Sequence, residues 1–133
     1  MKFYIKEKAG DIALTSPGKV CEEFKALSKA DQESFWLLGL NQANKVVLKE
    51  CIFLGGLSEC MIDIKIIFRR LLQAGCAQFI CIHNHPGGCF TPSKYDNEIT
   101  NRIKEAGKII DLPLLDHIII GDGYFSYKEN NLL

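Results

Sequence analysis

The amino-acid sequence predicts an α/β domain in which a mixed sheet lies between helices. Apolar runs of strand length alternate with segments in which apolar residues recur at helical spacing, and this alternation puts helices on both sides of a sheet. Some neighbouring strands are joined by short turns and are therefore expected to be antiparallel. The chain has 133 residues, which is enough for one domain but not for two ordinary ones. We therefore expect a single domain over residues 1–133.

The first predicted elements are an edge strand and a helix. Residues 1–14 form a lead-in, and residues 2–7 alternate weakly, as in a short strand. Ser16 and Pro17 are typical of a helix N-cap and a first helical turn. The apolar residues that follow recur at helical spacing, so the helix is expected to continue to about Ser28.

The remaining elements follow from apolar periodicity and from turn residues. Strands are expected where apolar runs are bounded by polar or glycine-containing turns, and helices where an apolar stripe recurs every three to four residues. In chain order, the prediction is strand 34–40, strand 45–54, helix 61–74, strand 77–82, helix 93–110, strand 114–120 and a last strand after the turn 121–123.

Composition limits the functions that the chain can have. Lys plus Arg equals Asp plus Glu at 16 each, so nothing in the net charge favours a nucleic-acid partner, although a local patch could still bind one. The apolar stretches are too short to span a bilayer, and the charged N-terminus does not resemble a signal peptide. We therefore expect a cytoplasmic protein with reduced cysteines and without a membrane partner.

Two of the three histidines follow the strand 77–82 directly. Side chains two apart on a strand point the same way, so His83 and His85 should project together from the end of that strand. Asp96 lies in the first turns of the next predicted helix, and the intervening loop is short enough to bring it near both rings. Two imidazoles and a carboxylate suit a tetrahedral Zn²⁺ whose fourth position is left open for water.

A simpler interpretation explains part of this pattern without a metal. Ser93 and Asp96 have the spacing of a helix capping box, or Thr91 could be the cap with Pro92 as the first helical residue. Neither interpretation accounts for the paired histidines.

The spacing of His83, His85, Ser93 and Asp96 fits H-x-H-x7-S-x2-D, which resembles the JAMM motif of JAB/MPN metallopeptidase domains. The segments HNHPGG, TPSKYD and LLDHIIIGDGYFSY are similar to the RadC branch of that family. The resemblance covers roughly residues 15–128, although the chain has no room for the N-terminal helix-hairpin-helix region of longer RadC-like proteins. It implies a three-layer α/β/α sandwich with a mixed sheet, similar to cytidine deaminases.

The resemblance also implies a set of site residues. The metal ligands would be His83, His85 and Asp96, holding one Zn²⁺ per chain, and Ser93 would steady the tetrahedral intermediate. A glutamate upstream would activate water.

Two residues are candidates for that glutamate. Glu33 matches the family context just before the first hairpin strand, and Glu50 in the second strand is the alternative. The implied activity is that of a zinc metallopeptidase or isopeptidase acting on a peptide or isopeptide substrate.

Two other functions are considered. The chain could be a DNA-repair-associated module that keeps a metal site without catalysis, as RadC-like proteins are traditionally labelled. A zinc deaminase would need H-x-E and P-C-x-x-C sequences, and neither occurs here.

Two further residues near the motif have open roles. Cys89 lies within the loop between the ligands and could approach the metal as a thiolate, but we expect it to pack instead. His117 stands beside Asp116 and is expected to be a structural histidine, with a role in orienting the metal ligands as the alternative.

Overall fold

The elements of the structure follow the predicted order. The computed structural model describes residues 16–55 and 62–133, so the predicted strand over 2–7 and the lead-in 1–14 lie outside the described residues. The elements are α1 (Pro17–Glu23), a 3-10 helix (Lys25–Lys29), β1 (Ser34–Leu40), β2 (Val46–Leu54), α2 (Ile64–Gln73), β3 (Gln78–Asn84), α3 (Lys94–Ile109), β4 (Leu114–Ile120) and β5 (Tyr124–Ser126).

The five strands form one mixed sheet in the order β2-β1-β3-β4-β5. The central strand β3 pairs antiparallel with β1 and parallel with β4, while β1–β2 and β4–β5 are antiparallel hairpins. The α/β fold class with a mixed sheet is therefore confirmed. In the described ranges, no helix is both long enough and apolar enough to cross a membrane.

The two faces of the sheet carry separate apolar cores. On β3, Ile80 and Ile82 pack on one face with Val20 of α1, and Phe79 and Cys81 pack on the other. The second face is covered by α2 and α3, whose apolar residues in this core are Ile67, Phe68, Leu71, Ile99 and Ile103. The domain thus has three layers, α/β/α. By strand alternation, His83 continues the α2/α3 face.

Three predicted boundaries differ from the structure by two residues or more. The second helix begins at Ile64, with Asp63 as its N-cap, and not at residue 61.

The first α-helix ends at Glu23 rather than near Ser28, and the chain continues as the 3-10 helix Lys25–Lys29. The buried ring of Phe24 packs edge-on against Trp36 at 5.5 Å between centroids, which holds the chain at this turn.

The end of β3 was also predicted too early, at residue 82. The strand runs on through His83 and Asn84, because His83 pairs with Phe35 of β1 and Asn84 pairs with Ile120 of β4. His83 therefore stands on the strand itself, and only His85 lies beyond it.

Asn84 fastens the chain before β1 to the end of β3. Its side-chain oxygen accepts hydrogen bonds from Ser34 N at 2.8 Å and Ser34 Oγ at 3.2 Å. Its amide nitrogen donates to the carbonyls of Leu27 at 3.2 Å and Gln32 at 3.0 Å. These bonds satisfy a fully buried amide, and they fix the backbone on both sides of Glu33.

Gly121 lets the loop after β3 approach the end of β4. A Cβ at this position would lie 2.3 Å from the carbonyl oxygen of Gly88, and Asp122 N donates to the same carbonyl at 2.8 Å. Backbone cannot yield as a flexible side chain can, so the position requires glycine.

We expect Gly121→Ala to lower the free energy of unfolding by about 1–3 kcal/mol, because the added methyl group overpacks a backbone contact. Urea denaturation followed by circular dichroism would measure the change. Gly87→Ala is the matched control, since a Cβ there meets nothing within 4 Å. Equal midpoints for the two variants would contradict the close approach.

Candidate metal centre

Three side chains from two elements meet at the end of β3. The Nε2 atoms of His83 and His85 lie 3.2 Å apart, and each faces one oxygen of Asp96, at 3.2 Å and 3.1 Å respectively. One ligand atom from each residue lies within 4.8 Å of the others, so the group could hold a metal ion. The strand end supplies the imidazoles, and the first turn of α3 supplies the carboxylate.

Asp96 also belongs to a helix capping box. Ser93 is the N-cap of α3: its Oγ accepts from Asp96 N at 3.0 Å, and its own backbone N–H donates to Asp96 Oδ2 at 2.8 Å. The Thr91 alternative is wrong. The capping and metal interpretations are compatible, because the bonds that start the helix also aim the Asp96 carboxylate at the histidines.

Both imidazoles are oriented through their Nδ1 atoms. His85 Nδ1 lies 2.9 Å from the carbonyl oxygen of Cys89. A carbonyl can only accept, so this nitrogen carries the hydrogen and His85 Nε2 faces the cluster. His83 Nδ1 lies 2.8 Å from His117 Nε2, and the His83 ring stacks on Phe35 at 5.9 Å between centroids.

His117 lies behind the ligands with no exposed surface. The hydrogen-bond partners of its ring are His83 and Thr100, and the ring stacks on Tyr127 at 5.2 Å between centroids. The carboxylate of Asp116 instead accepts from the backbone N–H of His117 at 2.7 Å. The ring of His117 therefore contacts a candidate metal ligand, His83, and the neighbouring carboxylate bonds to the backbone instead.

The two candidate glutamates occupy different places. Glu33 directly precedes β1, and extending the β1–β3 register by two residues beyond Phe35–His83 puts it opposite His85. Glu50 on β2 forms an ion pair with Arg70 of α2, with Oε1 2.7 Å from Nη2. Glu33 thus lies at the same end of the sheet as the two histidines, whereas Glu50 is paired with Arg70 on another part of the domain.

Comparison with known proteins agrees with this geometry. The RadC-like JAB domain family matches residues 14–132.

The chain belongs to this family. It is 44% identical over 115 residues to a UPF0758 protein of Halalkalibacterium halodurans and 41% identical over 115 residues to UPF0758 protein YsxA of Bacillus subtilis, covering 86% of this chain in both cases. It is 35% identical over 133 residues to a UPF0758 protein of Rubrobacter xylanophilus, covering 99% of this chain. The matches cover 48%, 48% and 59% of those relatives, so the chain spans about half the length of the curated relatives it matches.

In this RadC-like centre, Asp96 and His85 each stabilise the charged form of the other. Burial alone would raise the pKa of Asp96, but the two neighbouring imidazoles of His83 and His85 and a hydrogen bond from the Ser93 backbone hold it well below its usual range. The hydrogen bond to Asp96 raises the pKa of His85, against the opposing effect of burial, and the charge of Glu33 acts in the same direction. The carboxylate is therefore ionised and available as a metal ligand.

Cys89 does not pack into the domain as expected. It is exposed, and hydrogen bonds from Thr91 lower the pKa of its thiol. Among the described residues, it is not part of the group that could hold a metal. Its contribution is the backbone carbonyl that orients His85.

Sequence reasoning missed Thr100 and Asn84. Both are buried and polar, and each bonds across the fold to groups far away in sequence. Each of them is a polar residue at a core-facing position of its helix or strand, and this is the sequence signal that could have found it. Such a residue indicates a hydrogen bond, but its partner depends on how the elements pack.

We expect Ser93→Ala to lower the free energy of unfolding of the metal-free domain by about 1 kcal/mol, because the N-cap hydroxyl is lost. Chemical denaturation with a chelator present would measure it, since bound metal would add its own stabilisation. Ser93→Thr keeps a hydroxyl and is the control. An unchanged Ser93→Ala variant would show that the hydroxyl does not cap α3 in solution.

Proposed function

We propose that this domain is a zinc-dependent hydrolase of the metallopeptidase or isopeptidase type that holds one Zn²⁺ per chain. The observation that carries the proposal is the convergence of two imidazole Nε2 atoms and an ionised carboxylate. Because the Nδ1 atom of each histidine already has a hydrogen-bond partner, both Nε2 atoms face the cluster.

The donor set fits zinc with an open position. Zinc in catalytic sites takes three protein ligands from His, Asp, Glu or Cys and leaves the fourth position to water or substrate. When bound, zinc supplies Lewis-acid polarisation of a carbonyl and makes water acidic enough to ionise near pH 7. His83, His85 and Asp96 would hold it.

Glu33 is proposed as the general base. Its position before β1 is fixed by the bonds that Asn84 makes to the residues on either side, and its charge acts on His85. Its carboxylate would take a proton from the attacking water and return it to the nitrogen of the leaving amine. Glu50 is the weaker candidate because Arg70 holds its carboxylate in an ion pair.

Ser93 is proposed to support the developing oxyanion. Its Oγ already accepts a hydrogen bond from Asp96 N, so its hydroxyl hydrogen remains to be donated. A donor placed beside the metal ligands would stabilise negative charge that forms on the carbonyl oxygen during attack. The proposed substrate class, a peptide or isopeptide bond, comes from the resemblance of the motif to that of JAB/MPN metallopeptidases.

We expect purified wild-type protein to contain about one zinc per chain and Asp96→Asn to contain almost none, because the charged ligand is lost. The asparagine can still accept the hydrogen bond from the Ser93 backbone, so α3 should keep its start. Metal analysis by mass spectrometry would measure this. Asp63→Asn, at the N-cap of α2, is the matched control and should keep its zinc.

A wild-type chain that neither contains zinc nor takes it up on titration would overturn the proposed metal site. Zinc bound equally by wild type and Asp96→Asn would overturn the assigned ligands.

We expect Glu33→Gln to lower hydrolysis by roughly 100-fold or more while zinc content stays unchanged, because a proton acceptor is lost. Glu50→Gln should cost little, since it removes only a partly exposed ion pair. A panel of fluorogenic peptide and ε-amino-linked isopeptide substrates would measure both variants.

Equal activity of Glu33→Gln and wild type would rule out Glu33 as the base. A zinc-loaded wild type that cleaves no member of the panel but binds DNA with steep salt dependence would favour the alternative of a DNA-associated module.

A further inference from the structure

A chain of three hydrogen bonds joins two of the candidate ligands behind the metal centre. His83 Nδ1 lies 2.8 Å from His117 Nε2, and His117 Nδ1 lies 2.5 Å from Thr100 Oγ1. Thr100 Oγ1 in turn lies 2.6 Å from the carbonyl oxygen of Asp96. The linking residues are almost fully enclosed, with His117 at 0% and Thr100 at 2% exposure, so water does not compete for these bonds.

The carbonyl of Asp96 determines which group donates in each of these hydrogen bonds. A carbonyl oxygen can only accept, so the Thr100 hydroxyl donates its single hydrogen to Asp96 O. Thr100 Oγ1 must then accept the next hydrogen bond, which makes His117 Nδ1 a donor. The opposite direction would leave two oxygen atoms 2.6 Å apart with no hydrogen between them.

The direction of donation is also fixed at the other nitrogen of His117, because its ring is neutral. Among the described residues, no carboxylate is bonded to the ring, and a fully buried unpaired charge is very costly. A neutral ring with hydrogen on Nδ1 has a bare Nε2. That nitrogen can only accept, so His83 Nδ1 donates to it and the remaining nitrogen of His83, Nε2, points at Asp96 and His85.

We propose that His117 and Thr100 are positioning residues that fix His83 in the tautomer with hydrogen on Nδ1, so that its Nε2 lone pair is available to a metal. The free imidazole ring can carry its hydrogen on either nitrogen, and only one of the two forms can bind metal through Nε2. This inference rests on the proposed zinc site, but the hydrogen positions on His117 belong to the protein itself.

The chain of hydrogen bonds also links α3 and β3, the two elements that form the site. It begins at Asp96 on α3, crosses β4 at His117 and ends at His83 on β3. Asp96 therefore acts twice, because its carboxylate is a candidate ligand and its carbonyl determines the hydrogen position on another ligand. Partners of this kind behind a metal typically change metal affinity by roughly 10- to 100-fold when they are removed.

The experiment compares Thr100→Val with Thr100→Ser. Valine keeps the shape of the side chain but removes the hydroxyl, so nothing accepts from His117 Nδ1, whereas serine keeps the hydroxyl. Zinc affinity would be measured by competition with a chromophoric chelator. In parallel, nitrogen-15 NMR of the histidine rings in the metal-free wild-type chain and both variants would locate the hydrogen on His117.

We expect the wild-type spectrum to show hydrogen on Nδ1 of a neutral His117. We expect Thr100→Val to bind zinc roughly 10- to 100-fold more weakly and to lose the exclusive Nδ1 signal, while Thr100→Ser should restore both. Serine lacks the methyl group of threonine and cannot improve packing, so rescue by serine would separate the loss of the hydroxyl from a general loss of packing.

Hydrogen on Nε2 of His117 in the wild-type chain would overturn the inference, even if Thr100→Val failed to fold. Zinc affinity equal in wild type and Thr100→Val would also overturn it. Failure of the proposed function looks different, since a wild-type chain that takes up no zinc could still show hydrogen on His117 Nδ1.

Discussion

The position of Asp96 at the start of α3 is the constraint on which the site depends. At this position the carboxylate accepts the backbone hydrogen bond of the N-cap residue and faces both histidines at the same time. Helix N-termini favour negative charge, so α3 itself helps to keep the group ionised. Asp96 therefore needs no separate support as a candidate ligand, because the interactions that begin the helix also aim its carboxylate.

The sheet supplies the other half of the site. Parallel pairing of β3 with β4 brings His117 beside His83, and antiparallel pairing of β3 with β1 brings Phe35 against the same ring. A central strand with one parallel and one antiparallel neighbour can thus collect functional groups from segments that are far apart in sequence. The asparagine between the two histidines secures the opposite face, where it binds the backbone around Glu33.

Periodicity predicted most of the fold, and a local motif identified the group of two histidines and one aspartate that could hold a metal, but neither predicted the packing around that group. The strand 34–40 and the cap at Ser93 are local features, so residue spacing was enough to find them. The end of α1 depends on the contact of Phe24 with Trp36, and the partners of His117 depend on α3 crossing β4. These are contacts between distant segments, which a local pattern does not encode. For the same reason, the local sequence did not distinguish Thr100 from other polar residues of a helix.

The alternation of side chains along residues 83–85 has a consequence for folding fidelity. The histidines serve one face of the sheet, and Asn84 serves the other. A displacement of β3 by a single residue would exchange the faces. It would present an amide to Asp96 and bury two imidazoles against the 3-10 helix and the chain before β1, where Asn84 now satisfies the carbonyls of Leu27 and Gln32. A misaligned strand would therefore abolish the site completely and would not merely weaken it. An intact site indicates that β3 is paired in the correct register.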